Sequence, residues 1–155
     1  MNFSSFFNYP VQDDGDEPED YIFLQDWTNE DWGKLLKHTQ TLLFKAGQTI
    51  IHEGDATQAL FIVSFGTLEV IVRHGRQSKR IAVIQAGSVM GEQSFLDGNP
   101  RSADIIASTE CQILQLSRER FDIFAAREPT LARDFLFDLG RILSLRLRHA
   151  HDNML

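Results

Sequence analysis

The sequence predicts a mainly β protein, an antiparallel β-barrel or jelly roll over about residues 42–116, with a short helix before it and two helices after it. Three observations predict it. Short β-rich runs follow one another from Leu42 to Leu116. Glycines at 47, 54, 66, 75, 87 and 98 separate them at intervals of 7 to 12 residues, the turn spacing of an all-β domain. On either side of this stretch the apolar period lengthens to that of a helix. The 155-residue chain is 43% hydrophobic, enough for one core and too short for two domains of ordinary size. Residues 21–155 are therefore read as one domain behind a flexible acidic segment, 1–20.

That first segment joins an aromatic patch, Phe3, Phe6, Phe7 and Tyr9, to six acids between Asp13 and Asp20. The acids repel one another and bury nothing, so a solvated tail is expected, with docking of the aromatics as the alternative. The net charge of -7 becomes -1 without those six (-7 + 6), which leaves the body close to neutral. Thr28-Asn-Glu-Asp31 offers a near capping box, and Trp32, Leu35 and Leu36 follow at helical spacing. Trp27 and Trp32 read as core anchors.

The strand runs are Thr49 to His52, Leu60 to Ser64, Thr67 to Arg73, Arg80 to Gln85, Ser102 to Ala107 and Cys111 to Leu116. Alternation in the third puts Leu68, Val70 and Val72 on one face and Glu69 and Arg73 on the other, a strand with one wet side. A polar, mobile hairpin is expected over His74 to Ser78. Ser117 caps a helix running to about Arg127, with Phe121 and Phe124 turned to the core. Pro129 opens a longer helix, at the position where proline is tolerated, and the two helices together span about 117–152. On the second, Leu136, Leu139, Leu143, Leu147 and Ala150 form one stripe, and Leu131, Phe135, Ile142 and Leu145 another. One stripe suffices to dock on a barrel; the other suggests a partner surface, a second copy of the helix or a lid over a ligand.

The remaining stretch, Gly87 to Ala107, carries the chemistry. Gly91-Glu92 starts a short helix over Gln93 to Leu96, the chain turns at Asp97-Gly98-Asn99-Pro100, and Arg101-Ser102-Ala103 leads into a strand. One carboxylate, one guanidinium and one hydroxyl are thereby brought towards one pocket. The guanidinium fork and the hydroxyl suit phosphate oxygens. Glu92 only accepts, so it suits a sugar hydroxyl, and phosphate with a ribose hydroxyl indicates a nucleotide.

Gly91-Glu92 followed by Pro100-Arg101-Ser102-Ala103 resembles the phosphate-binding cassette of the cyclic nucleotide-binding domain. That domain occurs in the catabolite activator protein, in regulatory subunits of cyclic-AMP-dependent kinase and in cyclic-nucleotide-gated channels. The resemblance extends from about Leu42 to Leu147, through Gly47, Ile50, Gly54-Asp55, Leu60-Phe61-Ile62-Val63, Gly66 and Leu68-Glu69-Val70. It implies that Arg101, Ser102 and the amides of Gly91, Glu92, Gln93 and Ala103 hold a cyclic phosphate, and that Glu92 accepts the ribose 2′-hydroxyl, selecting ribo- over deoxyribonucleotides. Threonine after the arginine accompanies cyclic GMP selectivity in the family, so Ser102 favours cyclic AMP, with cyclic GMP the second choice. Met90 and Gln93 replace the usual Phe and aliphatic residue. Asp104 stands where an uncharged residue is frequent and is expected to point outward, away from the ligand. A base-capping residue is sought on the last helix, at Arg141, Ser144 or Arg148.

Other classes are disfavoured. The histidines, His38, His52, His74, His149 and His151, form no His-X-His pair within a barrel strand, and no nucleophile and base constellation is visible, so no enzyme, metal or cofactor is expected. Cys111 has no cysteine partner and reads as a core residue. No concentrated basic face marks DNA binding by this chain alone. No secretion signal or membrane span is apparent, so a cytoplasmic location is expected. The expected function is a cyclic nucleotide sensor that acts on a separate effector protein through its last helices, with a homodimer through the final one. The alternative is an interaction module that keeps the fold without the ligand.

Overall fold

The computed structural model describes residues 21–153, and the expectation of a flexible acidic segment over 1–20 lies outside the described residues. Eight strands follow helix α1 (Asn29–Leu36): β1 (Gln40–Phe44), β2 (Thr49–Ile51), β3 (Ala59–Phe65), β4 (Thr67–His74), β5 (Gln77–Gln85), β6 (Val89–Met90), β7 (Asp104–Ala107) and β8 (Cys111–Ser117). Helix α2 (Glu92–Asp97) lies between β6 and β7, and α3 (Arg118–Arg127) and α4 (Pro129–Asn153) follow β8. The strands form two four-stranded antiparallel sheets, in the orders β1-β8-β3-β6 and β2-β7-β4-β5. The architecture is thus the jelly-roll form of the expected fold, two sheets rather than one closed ladder.

Strand β3 shows why the apolar runs lie where they do. Successive side chains point to opposite faces: Phe61 and Val63 enter a core shared with Leu68, Ile84, Ile105 and Ile113, while Leu60 and Ile62 enter a second core with the helices. Covered on both faces, the strand has no need of a polar side, and it reads as an apolar run from Ala59 to Val63. The second core holds Phe95 of α2, Phe121 and Phe124 of α3, and Ala132, Phe135, Leu139 and Ile142 of α4. Cys111 is buried in the first core, and burial pushes its thiol up.

Several boundaries differ from the sequence reading. β1 and β6 lie outside the strand runs read from the sequence; they are defined by pairing at a distance, Leu42 with Ile113 and Met90 with Phe61, rather than by a local pattern. The hairpin after β4 is tighter than expected, because His74 already pairs with Gln77 and Gly75, at φ 64, makes the turn. Glu69 and Arg73 do share the outer face, each with a partner there: Arg80 for Glu69 and Asp104 for Arg73. At α1 the capping box is complete, with the Asp31 N–H donating to Thr28 Oγ1 and the Thr28 N–H donating to Asp31 Oδ2, both at 3.1 Å. Trp27 packs edge-on against Trp32 at 5.3 Å, as core anchors do.

Helix α4 docks through neither predicted stripe alone. Ala132, Phe135, Leu139 and Ile142 are buried, drawn from both stripes and one residue outside them, while Leu136 and Leu147 of the first stripe are 43% and 73% exposed. The contact face is set by where α3 delivers the chain, which periodicity alone does not reveal. Residues 21–24 strap the helix down: the Leu24 N–H donates to Asp138 Oδ2 at 2.6 Å, Arg141 donates to the Ile22 carbonyl at 2.8 Å, and the Tyr21 hydroxyl donates to the Leu145 carbonyl at 3.3 Å. Leu24 takes a left-handed φ of 54, a conformation costing about 1–2 kcal/mol outside glycine, and Asp138 holds it there.

Candidate functional site

The β6–α2 turn and the segment before β7 meet at one end of the jelly roll, and Gly91 makes that meeting close. It is the N-cap of α2, at φ 79, and a Cβ there would lie 2.6 Å from Arg101 Nη1. Arg101 comes from the other side, 5% exposed. Its Nη1 donates to the Gly91 carbonyl and its Nη2 to the Ala59 carbonyl, both at 2.7 Å, and the guanidinium carbon lies 5.4 Å from the centre of the Phe61 ring. Its Nε is buried without a hydrogen-bond partner. Burial lowers the Arg101 pKa from its ordinary value, against the smaller opposing pull of Glu92 and Asp55. The site therefore contains a desolvated cation that two neutral carbonyls only partly satisfy, an arrangement an anion improves.

The other predicted residues gather around it. Ser102 is exposed, and its hydroxyl donates to Gln93 Oε1 at 3.3 Å across the mouth of the site. Ala103 is half-buried between Ser102 and β7. Glu92, first residue of α2, does not pair with Arg101; its Oε1 lies 3.0 Å from Arg146 Nη1 of α4. Arg146 also donates to Ser88 Oγ at 3.0 Å and to the Val89 carbonyl at 2.7 Å, and its guanidinium carbon lies 6.0 Å from the Tyr21 ring centre.

A family model described as the cyclic nucleotide-binding domain matches residues 41–128, more than half of the chain. The chain belongs to that family. The cyclic AMP receptor protein of Thermus thermophilus is 34% identical over 116 residues, 74% of this chain and 52% of that protein. A cAMP-dependent protein kinase regulatory subunit of Eremothecium gossypii is 30% identical over 121 residues, 70% of this chain and 25% of that one. Among solved structures, a cyclic nucleotide-binding domain from Methylobacillus flagellatus matches with a TM-score of 0.78 at 28% identity, over 87% of this chain and 80% of that chain. This cyclic nucleotide-binding domain thus spans about half, or less, of the length of those two curated relatives.

The matched region, residues 41–128, stops before α4 begins at Pro129. Of the residues sought there, Arg141 is held by Asp138 and the Ile22 carbonyl, and Ser144 and Arg148 are exposed. Arg146 is the one that reaches the cassette. Its signal was present in the sequence: 135, 139, 142 and 146 share one helical face, so Arg146 points where the buried stripe points. Asp104 is on the outer face, as expected, but is covered rather than exposed, with a side chain 9% accessible. Among the described residues no cluster of His, Cys, Asp or Glu is arranged to hold a metal, and no helix is long and apolar enough to cross a membrane.

Gly91→Ala is expected to damage the site directly. A methyl group there meets Arg101 Nη1 and strains the left-handed turn, so nucleotide affinity should fall about 5- to 150-fold, the 1–3 kcal/mol of a strained backbone position. Titration of the variant checks this, and unchanged affinity would mean that Arg101 does not bind from its present position.

Proposed function

We propose that this domain is a cyclic nucleotide sensor whose ligand is cyclic AMP, with cyclic GMP the second choice, and that it acts on a separate effector protein through α3 and α4. The observation that carries the reading is the buried Arg101, unpaired by any carboxylate and adjoining the Gly91 turn and the Ser102 hydroxyl. A cyclic phosphate has one negative charge and supplies what this guanidinium lacks. Arg101, Ser102 and the amides of Gly91, Glu92, Gln93 and Ala103 would take the phosphate. Glu92 would accept the ribose 2′-hydroxyl, sharing its carboxylate with Arg146.

That sharing supports an output through α4. A hydroxyl arriving on Glu92 changes the strength of its pair with Arg146, and Arg146 is fixed to α4. Occupancy of the pocket then biases how firmly the last helix is held, a ligand effect of the only kind that shifts an equilibrium, differential interaction with two states. Arg146→Gln is expected to lower stability by about 1.5–3 kcal/mol, the range for a hydrogen bond to a charged group. It should also remove the ligand-dependent change in amide exchange over Phe121 to Leu147. If exchange there never responds to ligand in the unmodified protein, the output route is wrong. The exposed Leu136, Phe137 and Leu147 support a homodimer through the same helix, and sedimentation of Leu147→Glu against the parent tests it.

One observation favours the rival reading, a ligand-free interaction module: Glu92 and Ser102 already have partners within the chain. Calorimetric titration decides. Micromolar or tighter binding of cyclic AMP, about 8 kcal/mol or more, establishes the sensor, and a ligand at 100 times its Kd should add ~2.7 kcal/mol of stability. No heat with either nucleotide, from protein shown free of carried-over ligand, favours the interaction module.

A further inference from the structure

Asp104 is the residue at which this sequence departs most from what an anion site needs, a carboxylate three positions after Arg101. In the structure it lies opposite Ile71 of β4, and both its oxygens are engaged. Oδ1 accepts the Glu53 N–H at 2.7 Å, and Oδ2 lies 2.9 Å from Arg73 Nε. Glu53 opens a three-residue stretch that is fastened along its length to the Arg101 segment. The Gly54 N–H donates to the Arg101 carbonyl and the Arg101 N–H donates to the Asp55 carbonyl, each at 2.8 Å. The backbone of Arg101 is therefore held by a turn whose near end Asp104 pins.

Charge matters as much as geometry here. Left unpaired, the Asp104 carboxylate would oppose a phosphate arriving at Arg101. Arg73 supplies the opposite charge from the neighbouring strand, with a side chain 62% exposed.

We propose that Asp104 and Arg73 form a clamp that positions Arg101 for its anion, Asp104 by fixing the Glu53–Asp55 turn and Arg73 by neutralising Asp104. The clamp rests on the proposed cyclic nucleotide reading for its effect on affinity, though not for its effect on the turn. The two members act differently. Loss of Arg73 releases a negative charge, whereas loss of Asp104 releases the turn and removes the charge as well.

The test is titration with cyclic AMP and cyclic GMP of the parent protein, Arg73→Gln, Asp104→Ala, the double variant and Arg73→Lys, with thermal midpoints and amide exchange of the unliganded proteins alongside. Arg73→Gln and Asp104→Ala should each weaken binding about three- to tenfold, the scale of coupling between contacting residues. The double variant should bind like Asp104→Ala alone, and Arg73→Lys should recover most of the loss. Alanine has no side-chain acceptor for the Glu53 N–H, so exchange at the Gly54 and Arg101 amides should quicken in Asp104→Ala. Parent affinity in Arg73→Gln, or additive losses in the double variant, would overturn the clamp, as would loss of affinity that merely follows the thermal midpoint. A parent protein that binds neither nucleotide refutes the functional reading instead; unchanged protection at Gly54 and Arg101 in Asp104→Ala would then still refute the clamp.

Discussion

Arg101→Ala is expected to cost ~2–5 kcal/mol of cyclic nucleotide binding, the penalty for removing one partner of a buried charge pair, or about 30- to 5,000-fold in Kd. Stability should respond much less. The guanidinium is desolvated and held by two carbonyls, with its Nε unsatisfied, so its removal relieves a burial penalty while breaking those bonds. The expected signature is a protein that melts within a few degrees of its parent and no longer gains stability from cyclic AMP. Arg101→Lys should also bind poorly, because a single ammonium cannot reach the Gly91 and Ala59 carbonyls and still offer a fork to phosphate. Binding within threefold of the parent in Arg101→Ala would place the phosphate elsewhere.

The parts of this site legible in the sequence are those that lie close together along the chain. Gly91, Glu92, Arg101 and Ser102 fall within twelve residues, and each is required by a local demand: a left-handed turn, a helix start, a fork of donors, a hydroxyl. The glycine intervals likewise report turns, which are local. What was not legible depends on contacts between distant segments. β6 is two residues long and exists because β3 lies beside it. Arg146 meets Glu92 across 54 positions, and Arg73 meets Asp104 across 31 (146 − 92 and 104 − 73). Helical periodicity predicted two stripes on α4 correctly as apolar, yet the buried face straddles them because tertiary packing, not the stripe, selects which residues go inward.

Phe135→Ala is the second variant with a large expected effect, and on stability rather than binding. Phe135 is fully buried, with ring centres of Phe23 and Phe121 at 5.0 Å and of Phe95 at 6.3 Å. These rings belong to the N-terminal strap, α3 and α2, so one side chain joins α2 to both C-terminal helices. Its truncation leaves a cavity among them and should cost ~3–5 kcal/mol, read as a lower midpoint of urea unfolding with an unchanged slope. Phe135→Leu should cost less, because it removes fewer atoms. The binding side of the pocket is supported from elsewhere, by the Ala59 carbonyl and the Gly54–Asp55 turn, so the folded variant should retain cyclic AMP affinity to within about a factor of three, as expected for sites that share no partner. Its α4 should nevertheless lose the ligand-dependent change in amide exchange, since Phe95 lies on the same short helix as Glu92 and transmits any shift of that helix to Phe135. A loss below about 1 kcal/mol would show that the aromatic cluster is not the joint between cassette and helices. Full stability loss with the exchange response intact would leave the Glu92–Arg146 pair as the sole link.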